Sequence, residues 1–132
     1  MLEIDRGHVE EMAEHGLAGF PNEACGVLAG KEGRPVKFFA MRNADASPVT
    51  YRLDPKEQLE VFDEMEAEEW ELLAIFHTHT HSEAVPSETD RRQAFYPEAR
   101  YLVMSLSDRA NPVLRAYRIE DGEVAEEELV IS

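Results

Sequence analysis

Residues 72–90 read Leu72-Leu73-Ala74-Ile75-Phe76-His77-Thr78-His79-Thr80-His81-Ser82-Glu83-Ala84-Val85-Pro86-Ser87-Glu88-Thr89-Asp90. The first five are apolar without a break, a run that is short for a helix and too hydrophobic for the surface, so it reads as a buried strand. Residues two apart on a strand point the same way. His77 and His79, at its end, can therefore present neutral imidazole nitrogens to one cation at about 2.0–2.1 Å. The carboxylate of Asp90 completes a trio. Three protein ligands leave a fourth position open to water, which is the arrangement of a catalytic Zn2+ and not of a structural one. The stretch points to a zinc hydrolase.

His81 raises a question of register. Counting from His77 gives H-x-H, seven residues, Ser87, two residues, Asp90; counting from His79 puts Thr89 and Arg92 in the last two places. Only the first count supplies a carboxylate, so His81 reads as a loop residue or as one that supports the metal site from outside its ligand set. Pro86-Ser87-Glu88-Thr89-Asp90 is by itself a capping box at a helix start. Ser87 can cap that helix and face the metal site together, whereas Asp90 is expected to serve the cation and not the cap. His8 and His15 stand alone and receive no role. Cys25 reads as a small buried hydrophobe.

The chain has 132 residues, enough for one domain spanning 1–132 with its own core. A single cysteine excludes a disulfide framework and any cysteine-rich zinc cluster. It also excludes the Pro-Cys-x-x-Cys pair of a zinc nucleoside or base deaminase. Against 28 Asp and Glu there are 13 Lys and Arg, a net charge of −15 that repels phosphate backbones and anionic lipid alike. Nucleic acid and membrane partners are not expected. The first residues resemble no signal sequence and no apolar run is long enough to span a bilayer, so a cytoplasmic protein is the expectation. A homodimer stays open.

Hydrophobic periodicity predicts a helix over 6–18, capped by Asp5, with Val9, Met12, Ala13 and Leu17 facing the core and Gly16 and Gly19 ending it. Strands follow at 23–30 and 34–42, joined as a hairpin by Glu32-Gly33. After a loop at 43–48 and a short strand at 51–53, Asp54-Pro55-Lys56-Glu57 starts a second helix that runs to about 69. Its apolar positions are Leu59, Val61, Phe62 and Met65. Beyond the strand at 72–77 come a short helix at 87–95 and strands at 100–106, 112–119 and 123–131, the last two joined at Asp121-Gly122. The sum is an α/β (α+β) domain, a mixed β-sheet flanked by helices.

The H-x-H, Ser87 and Asp90 spacing resembles that of the JAMM (MPN+) metalloprotease family, whose motif adds a glutamate on the strand after the first helix. Glu23, in Pro21-Asn22-Glu23-Ala24-Cys25-Gly26-Val27-Leu28-Ala29-Gly30, fills that place. This stretch, with Asn43-Ala44-Asp45-Ala46-Ser47-Pro48 and Tyr51-Arg52-Leu53-Asp54, looks most like stand-alone bacterial members that release cysteine from a CysO-type sulfur carrier. The resemblance implies a cytidine deaminase-like sandwich, zinc held by His77, His79 and Asp90, Glu23 as proton shuttle, and Ser87 as an oxyanion donor. It implies hydrolysis of the amide after the C-terminal Gly-Gly of a ubiquitin-like sulfur-carrier protein. The alternatives are a deconjugating isopeptidase and a non-catalytic MPN scaffold. His81 departs from the small residue expected there, which leaves cysteine and a lysine-linked protein both open as the departing amine.

Overall fold

The computed structural model describes residues 1–132. In chain order the elements are β1 (Leu2–Ile4), α1 (Arg6–Gly19), β2 (Cys25–Lys31), β3 (Arg34–Met41), α2 (Pro55–Glu68), β4 (Glu71–His79), α3 (Glu88–Arg92), β5 (Arg100–Ser105), β6 (Val113–Glu120), β7 (Glu123–Glu127) and β8 (Leu129–Ile131). Six strands form one sheet in the order β3-β2-β4-β5-β6-β7, and β1 pairs with β8 in a separate parallel ribbon. Only β4 and β5 run parallel within the large sheet. A parallel pair requires a crossover. Here that is residues 80–99, which carry α3.

The sheet alternates as strand periodicity demands. Val27, Ile75, Tyr101, Val103, Tyr117 and Ile119 join Val61 and Met65 of α2 in one core; Leu28, Phe76, Leu102, Met104 and Ala116 join Met12 of α1 in the other. Helices therefore cover both faces of a mixed sheet, as hydrophobic periodicity predicts and as the sandwich implied by the family resemblance requires. The register of β2 on β4 shifts at Leu28/Ala29, where Leu28 faces Ala74 but Ala29 faces Leu72. The extra residue, Leu73, makes a bulge. No helix is long and apolar enough to cross a membrane.

Both hairpins turn where Glu32-Gly33 and Asp121-Gly122 predict, and all four residues have positive φ (54°, 79°, 52° and 77°). That is the type I′ geometry that matches strand twist. Asp5 and Asp54 cap α1 and α2 through their carboxylates, as expected.

Other expectations need correcting. The strand at 123–131 is two strands, because the chain leaves β7 at Glu128 to run beside β1. Residues 51–53 contribute only an isolated bridge, Leu53 to Asn43. Helix α3 stops at Arg92, short of 95. Leu17 and Leu59 are exposed, since the buried stripes of their helices are narrower than the apolar pattern.

Gly16 does not end α1; it lies inside the helix and is buried. A Cβ there would sit 2.8 Å from Thr78 Cγ2, so the missing side chain is what lets α1 approach β4. Thr78 cannot yield, because its hydroxyl holds the Ala24 N–H at 2.8 Å. Gly16→Ala should therefore destabilise the fold, with overpacking of roughly 1–3 kcal/mol exceeding the gain of about 1 kcal/mol in helix propensity. Urea unfolding of the two proteins measures the net change; a more stable alanine variant would show that the helix can move away.

Candidate metal centre

Beyond the bulge, Ile75, His77 and His79 project from β4 on the α2 side of the sheet, and the crossover brings α3 back over them. His77 Nε2 lies 3.0 Å and His79 Nε2 2.9 Å from the same oxygen, Asp90 Oδ2. All three residues are buried. One ligand atom from each lies within 4.8 Å of the others. His81 lies outside this group and is exposed.

Each donor is oriented by a second contact. His79 Nδ1 is 2.8 Å from the carbonyl oxygen of Glu83, so it carries the hydrogen and donates it. In neutral His79 the other nitrogen is then a lone pair aimed at a carboxylate oxygen. Two acceptors at 2.9 Å require positive charge between them, a proton or a cation. His77 is held differently, its ring stacked on Tyr51 at 4.2 Å with planes 17° apart. Its Nδ1 is buried without a hydrogen-bond partner. Two imidazoles and a carboxylate converging in this way fit a divalent metal ion.

Asp90 takes part in the helix cap as well, which corrects the expectation that it could not. Its Oδ2 accepts the Ser87 N–H at 2.9 Å, while Ser87 Oγ accepts the Asp90 N–H at 3.1 Å. A carboxylate oxygen has room for a donor from the helix start and for the histidines on its other side. Ser87 Oγ, being the acceptor in the cap, keeps its own hydrogen free to donate. Burial alone would raise the Asp90 pKa, but hydrogen bonds from His77 and His79 outweigh it and hold the carboxyl well below its usual range. Burial likewise opposes charge on His79, yet its bonds to Asp90 and Glu83 raise its pKa. For His77, fully enclosed, burial wins and the ring stays neutral.

Glu23 reaches the same place from the segment just before β2, which begins at Cys25 and not at the expected 23. Cys25 pairs with His77 in antiparallel register, and continuing that register through Ala24 and Thr78 brings Glu23 level with His79, whose field it feels. The bonds Thr78 N–H to Ala24 O (3.0 Å) and Glu23 N–H to Ser47 O (2.8 Å) fix the backbone there. The side chain is 4 % exposed and its Oε1 has no hydrogen-bond partner. Burial pushes its pKa up to about 8, with the field of His79 opposing and that of Asp90 adding. Cys25 is wholly buried in the α2-side core, with its thiol pushed up to about 12 by burial, as expected of a packing residue. His15 is structural: its Nε2 sits 2.9 Å from Cys25 O and 3.2 Å from Met41 O at the end of the hairpin.

Tyr51 is the residue that sequence reasoning missed. It also lines a cleft of about 250 Å³ beside the centre, together with Leu53, Gln58, Ile75, Phe95 and Tyr96. An aromatic residue just before the cap of α2 was the available signal, but nothing in its spacing shows that it reaches His77.

Residues 5–120 match the family described as prokaryotic homologs of the JAB domain. The chain is 47 % identical over 129 residues to the CysO-cysteine peptidase of Mycobacterium tuberculosis, covering 96 % of this chain and 88 % of that protein. It is 37 % identical over 108 residues to the desampylase of Haloferax volcanii, covering 79 % and 78 %. A solution structure of a Desulfitobacterium hafniense protein superposes with a TM-score of 0.89 at 34 % identity, covering all of this chain and 93 % of that one. With the H-x-H, serine and aspartate of the motif gathered at one strand end, and with this likeness along nearly its whole length, the chain belongs to the JAB (JAMM) domain family.

Proposed function

We propose that this protein is a zinc-dependent JAMM-type peptidase that hydrolyses the amide bond after the C-terminal Gly-Gly of a ubiquitin-like sulfur-carrier protein and releases cysteine. The observation that carries the reading is the convergence of His77, His79 and Asp90 beside the unpartnered carboxyl oxygen of buried Glu23. The similarity to a CysO-cysteine peptidase supports the substrate class.

His77, His79 and Asp90 would hold the zinc ion, which when bound polarises water and the scissile carbonyl. Glu23, alongside His79, takes a proton from the attacking water and delivers it to the departing amine. A nearby dication favours its ionised form, offsetting the burial that otherwise keeps it protonated. The free hydrogen of Ser87 Oγ donates to the developing oxyanion, and the start of α3 adds a favourable dipole there. The apolar cleft beside Tyr51 receives the extended tail that precedes the scissile bond. Only glycine lets a backbone approach so enclosed a centre closely.

The similarity to a desampylase supports a second reading, a deconjugating isopeptidase. A carrier ending in Gly-Gly and extended by one cysteine should be trimmed faster than the same carrier joined to a lysine side chain, at equal enzyme, as followed by mass spectrometry. The opposite ranking would favour the isopeptidase.

A further inference from the structure

Past the metal ligands the chain leaves β4 through Thr80 to His81, and three side chains meet there. The His81 ring lies 5.7 Å from that of Phe20, and the Arg109 guanidinium sits over the same Phe20 ring at 4.4 Å. Phe20 stands three residues before Glu23, and His81 two after His79. Arg109 follows Leu106, whose N–H donates to His79 O at 2.8 Å. The segments that carry Glu23 and His79 thus carry this corner too.

Arg109 is exposed and forms no ion pair, although the chain is rich in acids. Its neighbour Asp108 is engaged elsewhere, accepting from Ala110 N–H and Asn111 Nδ2, each at 3.1 Å. An aromatic face positions a guanidinium without neutralising it. His81 is a brace here. Thr80 Oγ1 donates to Pro48 O at 3.0 Å, so at 2.9 Å it accepts from His81 Nδ1, and the ring is fixed. Arg109 is the permanent cation among these three side chains.

Position along β4 gives the corner its meaning. Ile75 borders the apolar cleft, His77 and His79 come next, and His81 lies beyond them. A tail entering by the cleft therefore directs its departing amine toward His81 and Arg109. One amino acid spans about 3.3–3.6 Å of chain. A cation placed one residue beyond the scissile bond would meet a free α-carboxylate when the leaving group is a single terminal amino acid, and would meet none when it is a lysine side chain within a protein.

We propose, resting on the peptidase reading above, that Arg109 posted on Phe20 binds the α-carboxylate of the departing amino acid and so selects carriers extended by one residue over lysine-linked conjugates. The test uses the CysO carrier extended by a C-terminal cysteine, once as the free acid and once as the cysteinamide. Wild-type enzyme should favour the acid by about 10–100-fold in kcat/KM, the value of one charge-assisted pair. Arg109→Ala should erase that preference, chiefly through KM, and Arg109→Lys should restore part of it. Equal cleavage of acid and amide by the wild type, or an alanine variant that keeps the preference, would overturn the assignment while leaving the peptidase reading intact. Failure of the wild type on both, with cleavage of a lysine-linked conjugate, would remove the peptidase reading and this assignment together.

Discussion

Glu23→Gln should retain metal and fold while losing turnover by about 10²–10⁴-fold, the usual share of a positioned acid–base group. The same substitution should make the metal-free protein more stable at alkaline pH. The folded-state pKa of Glu23 stands near 8, above its ordinary 4.5. Between those values the unfolded chain has released a proton that the folded chain keeps, so stability falls as pH rises through that window. Above it, the ionised carboxylate carries the full penalty, on the order of a few kcal/mol. Glutamine removes that cost. In chelator at pH 8.5 the variant should melt several degrees above the wild type, and the gap should close towards pH 4.5. Coincident melting at both pH values would mean that the carboxyl is not held neutral, and near-normal turnover would take Glu23 out of the chemistry.

Asp90→Asn should separate the two duties of this side chain. Its remaining oxygen can still accept the Ser87 N–H, so the start of α3 should survive. The anionic donor is lost, and metal affinity should fall by more than the roughly 10–100-fold that removing a mere supporting partner costs. Elemental analysis should find one zinc per wild-type chain and far less in the variant, with activity falling in parallel. Acid should act on the wild type in the same direction. The raised pKa of His79 lets protons compete for its nitrogen at a higher pH than for an ordinary histidine, so metal should be released as pH falls through the imidazole range. Full zinc occupancy in the Asn variant would exclude Asp90 as a ligand.

The centre was legible because two periodicities converge in a short span. Alternation on a strand aligns His77 with His79, and the signature of a helix start places Asp90. The hairpins and caps were legible too, since Glu32-Gly33, Asp121-Gly122, Asp5 and Asp54 act through local chemistry. What escaped depends on contacts between distant segments. Tyr51 stacks on His77 across 26 positions, Gly16 is small for the sake of Thr78, and β8 exists only because β1 lies beside it. The double use of Asp90 was hidden for another reason: a pattern shows that two motifs overlap at a residue but not that one oxygen can satisfy both.

The bulge at Leu73 acts as a change of phase along β4. Counting by twos from Leu72, which packs on the α2 side, would carry Ala74, Phe76 and Thr78 to that side and turn both histidines towards α1. The strand instead puts Ile75, three residues on, beside Leu72, and everything beyond is inverted. One surplus residue therefore decides which surface of the sheet becomes the working surface. On the α1 side of the strand Gly16 packs directly against Thr78 and Leu106. The opposite side holds Asp90, Tyr51 and the open cleft.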